Sequence, residues 1–530
     1  MGTYLNPGNE NFAVIKNNNY VDKTMMISLI NSTINTPEKL TCISRPRRFG
    51  KSFAAQMVCA YYDNSCDSHE LFDGMKISED ASYEKYMNKY DVIYVDMTGV
   101  KPFTDNFKNL SSFLVTTISG ELKKKYPDLD ISGDFPATLV NAVTLSGTKF
   151  VFIIDEWDAP IRESKGEPSI RKEYLEFLRS VFKNSGVTNR VFAAAYMTGI
   201  LPIKKMEGHS AVSDFEEYTV LDPQLFSGYV GFTENEVRKL CSDHDMDFET
   251  MKYWYDGYNF KGAGSVYNPN SVMKAIRKRA FDSYWPKTTA ADSLMEYISK
   301  DYSGLTKTIA ELIAGIDVQV DTENFTNDPS ETYDKDDVLT LLVHLGYLTF
   351  DQKSSRVRIP NEEIRKEFQR AIHKVNHTET LKRLNESEQL FTDTITGNEE
   401  AVAQQIEKIH REETSPIHYN REDSLRSVIK LAYYTYRDHY VQWEEMPAGN
   451  GYADIAFLPK KDSDYPILVI ELKWNKTAET AIEQIRNRHY PESFKGCGSE
   501  IVLVGVSYDK DEKPGQRTHK CRIEKIAMER

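Results

Sequence analysis

The sequence predicts an α/β chain: a P-loop parallel-sheet domain first, then a helical lid with a winged-helix-like unit, then a second α/β domain. Three observations predict it. Arg45-Pro46-Arg47-Arg48-Phe49-Gly50-Lys51-Ser52 stands between an apolar run, Leu40 to Ile43, and a helix-like run, Phe53 to Ala60. Lys149 to Ile154 is a second apolar run and ends in Asp155-Glu156. Near the C-terminus, Tyr452 to Leu458 and Ile467 to Trp474 read as two strands joined by a polar hairpin, with Asp454 on the first and Glu471-Leu472-Lys473 on the second.

At 530 residues the chain exceeds one core, so about two to four domains are expected. The boundaries fall at 1–225, 226–375, 376–418 and 419–530. No apolar run approaches the roughly 20 residues of a membrane span, and Met1 to Asn19 is polar, so neither a signal peptide nor a membrane partner is expected. The six cysteines form no C-x-x-C pair, which fits a reducing, cytoplasmic setting. Cys241 and His244 have metal-ligand spacing, but no second pair completes a site. A net charge of −14 excludes a protein coated in basic surface; it leaves room for a local basic groove with salt-sensitive nucleic-acid contacts.

In chain order, Tyr20-Val21-Asp22-Lys23-Thr24 and the amphipathic run Met25 to Asn31 precede the loop. Strand, tight loop, Gly-Lys-Ser and helix is a phosphate-binding layout. Gly50 lets backbone N–H groups approach a phosphate, and the helix N-terminus adds partial positive charge. Lys51 is placed to pair with outer phosphates of ATP and Ser52 to take one Mg2+ position, with Arg47, Arg48 and Phe49 completing the nucleotide-binding stretch. The general pattern has glycine where this chain has Arg45.

Four further strands are expected: Val92 to Asp96, the strand ending at Asp155, Arg190 to Met197, and Glu217 to Leu221. Helical runs such as Asn109 to Lys125 and Ile170 to Asn184 separate them, and that alternation means a doubly wound parallel sheet. Asp155 is expected to bind Mg2+ and Glu156 to orient the attacking water. Thr198, at the end of the next strand, either contacts phosphate or water, or caps a turn. Arg47, Arg48, Arg162, Arg179 and Arg190 are all candidates for an arginine finger.

From Phe226 to about Trp285 the text is aromatic and helix-forming, with Thr233 and Glu236 spaced as a capping box, and reads as a lid. Asp336 to Leu345, a hairpin, and a helix opened by Pro360-Asn361 outline a winged-helix-like unit; the acidic helix start at Asp334, Asp336 and Asp337 favours a structural role. Residues 376–418 read as a helical connector.

In the last domain a helix from Arg421 to Tyr434 carries Glu422. Alternation puts Glu471 and Lys473 on one side of their strand, and the hairpin returns them toward Asp454. Two carboxylates can bind Mg2+ through oxygen, and Lys473 can act on the attacking water; this is a PD-(D/E)xK arrangement for phosphodiester cleavage. Gln484, on a following helix, is expected to point back over these strands.

Together these motifs resemble a bacterial family with an AAA-ATPase-like N-terminal domain and a C-terminal PD-(D/E)xK, restriction-endonuclease-like domain. The resemblance runs through Tyr20 to Thr24, Arg45 to Ser52, Ile154 to Asp158, Thr198-Gly199-Ile200, Tyr255-Asp256-Gly257-Tyr258, Val266-Tyr267-Asn268-Pro269 and the set Asp454, Glu471, Lys473, Gln484. In that family the Pro-Arg-Arg-Phe loop is usual, which accounts for Arg45. It implies ATP and Mg2+ as cofactors and nucleic acid as partner, DNA ahead of RNA, and allows a homo-oligomer. The competing expectation is a nucleotide-dependent switch that grips nucleic acid without cutting it.

Overall fold

The computed structural model describes residues 2–164, 167–183, 185–203, 214–285, 305–313, 315–323, 325, 334–375, 378–413, 422–433, 440–448, 451–459, 465–487, 500–508 and 519–527. They fall into two compact units, one drawn from Met1–Lys287 and Gln319–Glu367, the other from Thr288–Val318 and Phe368–Arg530.

The first unit begins with α1 (Glu10–Lys16) and α2 (Met25–Thr33), then β1 (Leu40–Ser44), α3 (Lys51–Tyr62), β2 (Asp91–Asp96), α4 (Leu110–Lys125) and α5 (Phe135–Ser146). It continues through β3 (Phe150–Asp155), α6 (Ala159–Glu163), α7 (Pro168–Phe182), β4 (Phe192–Gly199) and β5 (Glu216–Tyr218). The five strands form one sheet in the order β2-β3-β4-β1-β5, and every pairing is parallel. β1, β3 and β4 are buried along their whole length, as a parallel sheet covered on both faces requires. Strand residues Ile93, Phe152 and Ile154 pack with Leu114, Ile118 and Leu178 of α4 and α7.

β4 starts at Phe192 and not at Arg190, because Ser185–Val191 is helical. Its insertion between β1 and β3 sets Thr198 opposite Ile43, at the mouth of the phosphate loop, and beside the end of β3.

The lid comprises α8 (Glu234–Asp243), α9 (Phe248–Tyr255), the hairpin β6 (Tyr258–Phe260) and β7 (Gly264–Tyr267), and α10 (Pro269–Lys278). Thr233 and Glu236 form the expected capping box, and Asn268 caps α10 by accepting from the N–H groups of Asn270 and Ser271. Lys23 spans from the N-terminal segment to the Gly228 carbonyl and the Glu236 carboxylate, each at 2.7 Å.

The winged-helix-like part is α11 (Lys335–Leu345), the hairpin β8 (Thr349–Asp351) and β9 (Arg356–Arg358), and α12 (Glu362–Val375). Asp334 and Asp337 cap α11 reciprocally, and Gly346 ends it at φ 87°. A Cβ at Gly346 would come within 2.7 Å of Pro46, so this unit is seated directly on the phosphate loop. The opening turns of α12 are enclosed: Glu362, Glu363, Arg365 and Glu367 are all buried.

The second unit contains α13 (Thr378–Thr396), α14 (Glu399–Glu413), α15 (Glu422–Ala432), β10 (Tyr440–Ala448), β11 (Gly451–Pro459), β12 (Ile467–Trp474), α16 (Ala478–Asn487), β13 (Glu500–Tyr508) and β14 (His519–Ala527). Its sheet runs β10-β11-β12-β13-β14; β12 and β13 are parallel and the other pairs antiparallel. The span 376–418, expected as a connector, contributes Leu390, Val402 and Ile406 to the core on one face. Ile482 and Ile485 of α16 cover the other face.

Candidate functional site

In the first unit the loop between β1 and α3 turns at Gly50, whose φ of 95° favours glycine, and α3 begins at Lys51. Phe49 is fully buried, edge-on to Tyr258 at 5.0 Å, so its side chain anchors the loop to the lid hairpin. Arg48 donates to the Tyr284 carbonyl at 3.3 Å. Arg47 is half-buried and adds to the positive field at Glu156.

Arg45, where a glycine is usual, is entirely buried. It donates to the carbonyls of Ser44 and Tyr218 at 2.9 Å and of Phe226 at 3.3 Å, and lies over the Phe260 ring. Burial pushes its pKa down to about 9. The arginine therefore pins the loop to β5 and to the lid.

Lys51 is 3% exposed; its ammonium donates to the Pro46 carbonyl at 3.1 Å and pairs with Glu156 Oε1 at 3.2 Å. Asp155 is buried, accepts from the Thr198 hydroxyl, and accepts from Tyr94 at 3.4 Å. Burial raises its pKa against the lowering contributions of the Ser52 and Thr198 hydroxyls. Glu156, at φ 53°, gives its other oxygen to Arg162 at 2.8 Å. Burial pushes the Glu156 carboxyl up, but Lys51 and Arg162 outweigh it and hold it below the usual range. The Ser52 hydroxyl beside the Asp155 carboxylate is a donor set that suits Mg2+.

A cavity of about 760 Å³ adjoins the loop, bounded by the segment from Val14 to Val21, by Arg48 to Ala54, and by the lid. A lid was expected here, but Met273 and Arg277 of its wall were not singled out in the sequence. Pro269, Met273 and Arg277 recur every four residues, one face of α10, and that spacing was the available signal. Of the arginine-finger candidates, Arg162 is taken up inside its own chain by Glu156 and Asp158, and Arg190 donates to Thr144.

In the second unit the β11–β12 ladder ends at Ile455–Ile470, one residue short of Asp454 and Glu471. There the Asp454 side chain takes over the pairing and accepts from the Leu472 N–H at 2.8 Å. Glu471 is 2% exposed; its Oε1 accepts from Lys473 at 2.8 Å and from Gln484. Its Oε2 is buried with no hydrogen-bond partner. Burial and then the Asp454 charge raise the Glu471 pKa. Gly505 pairs with Glu471 in the parallel ladder, and a Cβ there would lie 2.5 Å from the Ala478 carbonyl. The missing side chain lets α16 press onto the sheet, which is how Gln484 reaches Glu471.

Arg426 of α15, which sequence reading did not single out, approaches Asp454 Oδ1 at 3.7 Å. The side chain of Glu422 lies outside the described residues. Two adjacent carboxylates with one orphaned oxygen suit a divalent cation. Among the described residues no cluster of three or more His, Cys, Asp or Glu side chains forms, and the spacing of Cys241 and His244 gathers no third ligand. No helix among the described residues is long and apolar enough to cross a membrane.

Comparison with known proteins places names on both halves. Residues 7–207 match the family model described as predicted AAA-ATPase, and residues 420–516 match that of the PD-(D/E)XK nuclease superfamily. An uncharacterized protein in the vnfD 5' region of Azotobacter chroococcum mcd 1 is 22% identical over 529 residues, covering 96% of each chain. Among solved structures, the ORC2 protein of Aeropyrum pernix (ADPNP-ADP complexes) is 10% identical with a TM-score of 0.33, covering 68% of this chain and 97% of that one. C. elegans PCH-2 is 11% identical with a TM-score of 0.24, covering 63% and 70%.

Proposed function

We propose that the first unit binds and hydrolyses ATP with Mg2+, and that the second cleaves the phosphodiester backbone of nucleic acid, DNA ahead of RNA. The observation that carries the second half is Glu471: one oxygen is held by Lys473 and Gln484, and the other is buried without a partner beside Asp454. An orphaned buried oxygen alone does not mark a ligand site, since Asp158 Oδ1 is one too; what supports the reading is that the Glu471 oxygen lies beside a second carboxylate, with Lys473 and Gln484 on the opposite oxygen.

In the first unit Lys51 pairs with the outer phosphates, Ser52 and Asp155 hold Mg2+, Glu156 orients water and Thr198 fixes Asp155. In the second, Asp454 and Glu471 hold Mg2+, which supplies charge stabilisation at the phosphate and a more acidic water. Lys473, ion-paired with Glu471, orients the attacking water and stabilises the developing charge, and Gln484 fixes the Glu471 rotamer.

The test is incubation of the purified chain with DNA and RNA, each with and without Mg2+ and ATP. Mg2+-dependent cleavage with separate ATP turnover is expected. Nucleotide binding without cleavage under any metal condition would replace the nuclease by a nucleotide-dependent switch.

A further inference from the structure

We propose that Arg162 is a positioning residue for ATP hydrolysis, acting within its own chain: it grips one oxygen of Glu156 while the other is handed from Lys51 to the attacking water. The proposal rests on reading the first unit as an ATPase, and adds how its water-orienting carboxylate is held.

Both Glu156 oxygens are engaged: Oε1 by Lys51 at 3.2 Å and Oε2 by Arg162 at 2.8 Å. The two cations have different second partners. Lys51 also holds the Pro46 carbonyl, a loop group that an incoming phosphate replaces readily. Arg162 is 11% exposed, and its Nε is tied at 2.7 Å to the fully buried Asp158. Asp158 in turn accepts from the N–H groups of Ile200 at 3.2 Å and Leu201 at 2.9 Å.

The turn that carries Glu156 is stitched to the same strand end: Trp157 N–H donates to the Thr198 carbonyl at 2.8 Å and Glu156 N–H to its hydroxyl at 3.3 Å. A Cβ at Gly199 would lie 2.4 Å from Trp157 Nε1, so the end of β4 and the turn fit without slack. Arg162 is therefore a fixed point and Lys51 a movable one. A triphosphate that draws Lys51 to its outer oxygens frees Glu156 Oε1, and the fork of Arg162 keeps the carboxylate from swinging away with it.

Two consequences separate this role from a merely structural one. Arg162→Gln should lower kcat for ATP about a hundredfold, the usual scale for losing the aim of a catalytic group, with KM changed only a few-fold; Arg162→Lys should recover part of the loss. Without Arg162, moreover, Glu156 is held by Lys51 alone, so Lys51 leaves a tighter partner and ATP binding should weaken several-fold. Adding Glu156→Gln to Arg162→Gln should restore that affinity, a coupling that calorimetric titration with ATP reads without any turnover.

Wild-type turnover in Arg162→Gln would overturn the proposal. So would recovery of turnover on mixing Arg162→Gln chains with Glu156→Gln chains, because that marks a finger acting between chains. If the wild type binds ATP and never hydrolyses it, the ATPase reading fails. The affinity cycle then still decides whether Arg162 governs the Lys51–Glu156 pair, and independent effects of the two substitutions would sink it.

Discussion

The two candidate sites treat their acidic pairs in opposite ways. Around Asp155 and Glu156 each carboxylate is engaged on both oxygens, by Thr198 and Tyr94 on one and by Lys51 and Arg162 on the other. Around Asp454 and Glu471 one buried oxygen has no partner. The acidic pair of the first site is internally satisfied, so a ligand would have to displace one of its partners. The second is pre-formed with a vacant acceptor, so it should respond to a cation with little rearrangement.

The largest expected effect tests the second half of that contrast. Asp454→Ala and Lys473→Ala should each reduce phosphodiester cleavage a hundredfold or more. Raising Mg2+ or Mn2+ should recover part of the Asp454→Ala loss, because a metal ligand is missing. It should not help Lys473→Ala. Cleavage measured across a metal titration checks this, and equal metal rescue of both variants would break the division of roles.

The first half is tested by Lys51→Ala and Glu156→Gln. Lys51→Ala should abolish ATP binding, whereas Glu156→Gln should bind ATP at least as well as wild type and fail to turn it over, because the pair that restrains Lys51 is gone. Titration with ATP alongside a phosphate-release assay measures both.

A third buried carboxylate sharpens the comparison, because its partners fasten two parts of the fold together. Glu363 of α12 accepts from Ser271 at 2.8 Å and from the Tyr284 N–H at 2.7 Å, fastening the winged-helix-like unit to the lid. Burial, with some repulsion from Glu367, raises its pKa to about 7 from an ordinary 4.5. The folded state keeps this proton where the unfolded chain has lost it. Its stabilising effect is thus complete below about pH 4.5 and disappears as pH rises through about 7, a difference of roughly 3 kcal/mol at 1.36 kcal/mol per pKa unit. Urea unfolding at pH 5 and pH 8 should show that loss in the wild type, and Glu363→Gln should flatten it. An unchanged slope in the variant would move the effect to other groups.

Legibility from sequence followed how strongly each element is buried. β1, β3 and β12 are apolar nearly throughout and were plain, and the pairings of Glu471 with Lys473 and of Thr233 with Glu236 follow from strand and helix spacing. β10 and β14 were not seen. They are the two edges of the second sheet, and edges carry charge that blunts pairing with other chains: β14 reads His-Lys-Cys-Arg-Ile-Glu-Lys-Ile-Ala, with only His519 buried. The helices α13 and α14 were legible as helices, but their polar outer faces hid that Leu390, Val402 and Ile406 belong to the core. The roles of Arg45, of Arg162 (one of five finger candidates) and of Arg426 (not singled out) were illegible for another reason. What an arginine does depends on which carbonyls or carboxylates the fold brings to it, and two of the three carbonyls that Arg45 reaches lie more than 170 positions away.

The smallest expected effect concerns whether nucleic acid belongs to the second unit alone. The winged-helix-like part offers Arg356 and Arg358 on an exposed hairpin, and such hairpins can contact phosphate in DNA-binding proteins. The rest of the part argues against that use. A groove-reading helix must present a free face, yet the first turns of α12 bury Glu362, Glu363, Arg365 and Glu367. Their partners are internal: Tyr253 donates to Glu362 at 2.9 Å, Ser271 to Glu363, and Ser283 to Glu367 at 2.7 Å. Gly346, at the start of the wing, is packed on Pro46 of the phosphate loop. Replacing Arg356 and Arg358 with glutamine should therefore leave nucleic-acid affinity, and its dependence on salt, nearly unchanged. The measurement is a binding titration with duplex and single-stranded DNA at several salt concentrations. Each lost phosphate contact would flatten the slope of log K against log salt by about one unit. A flattening of that size would put a second nucleic-acid surface on the first unit and end the separation of the two sites by substrate.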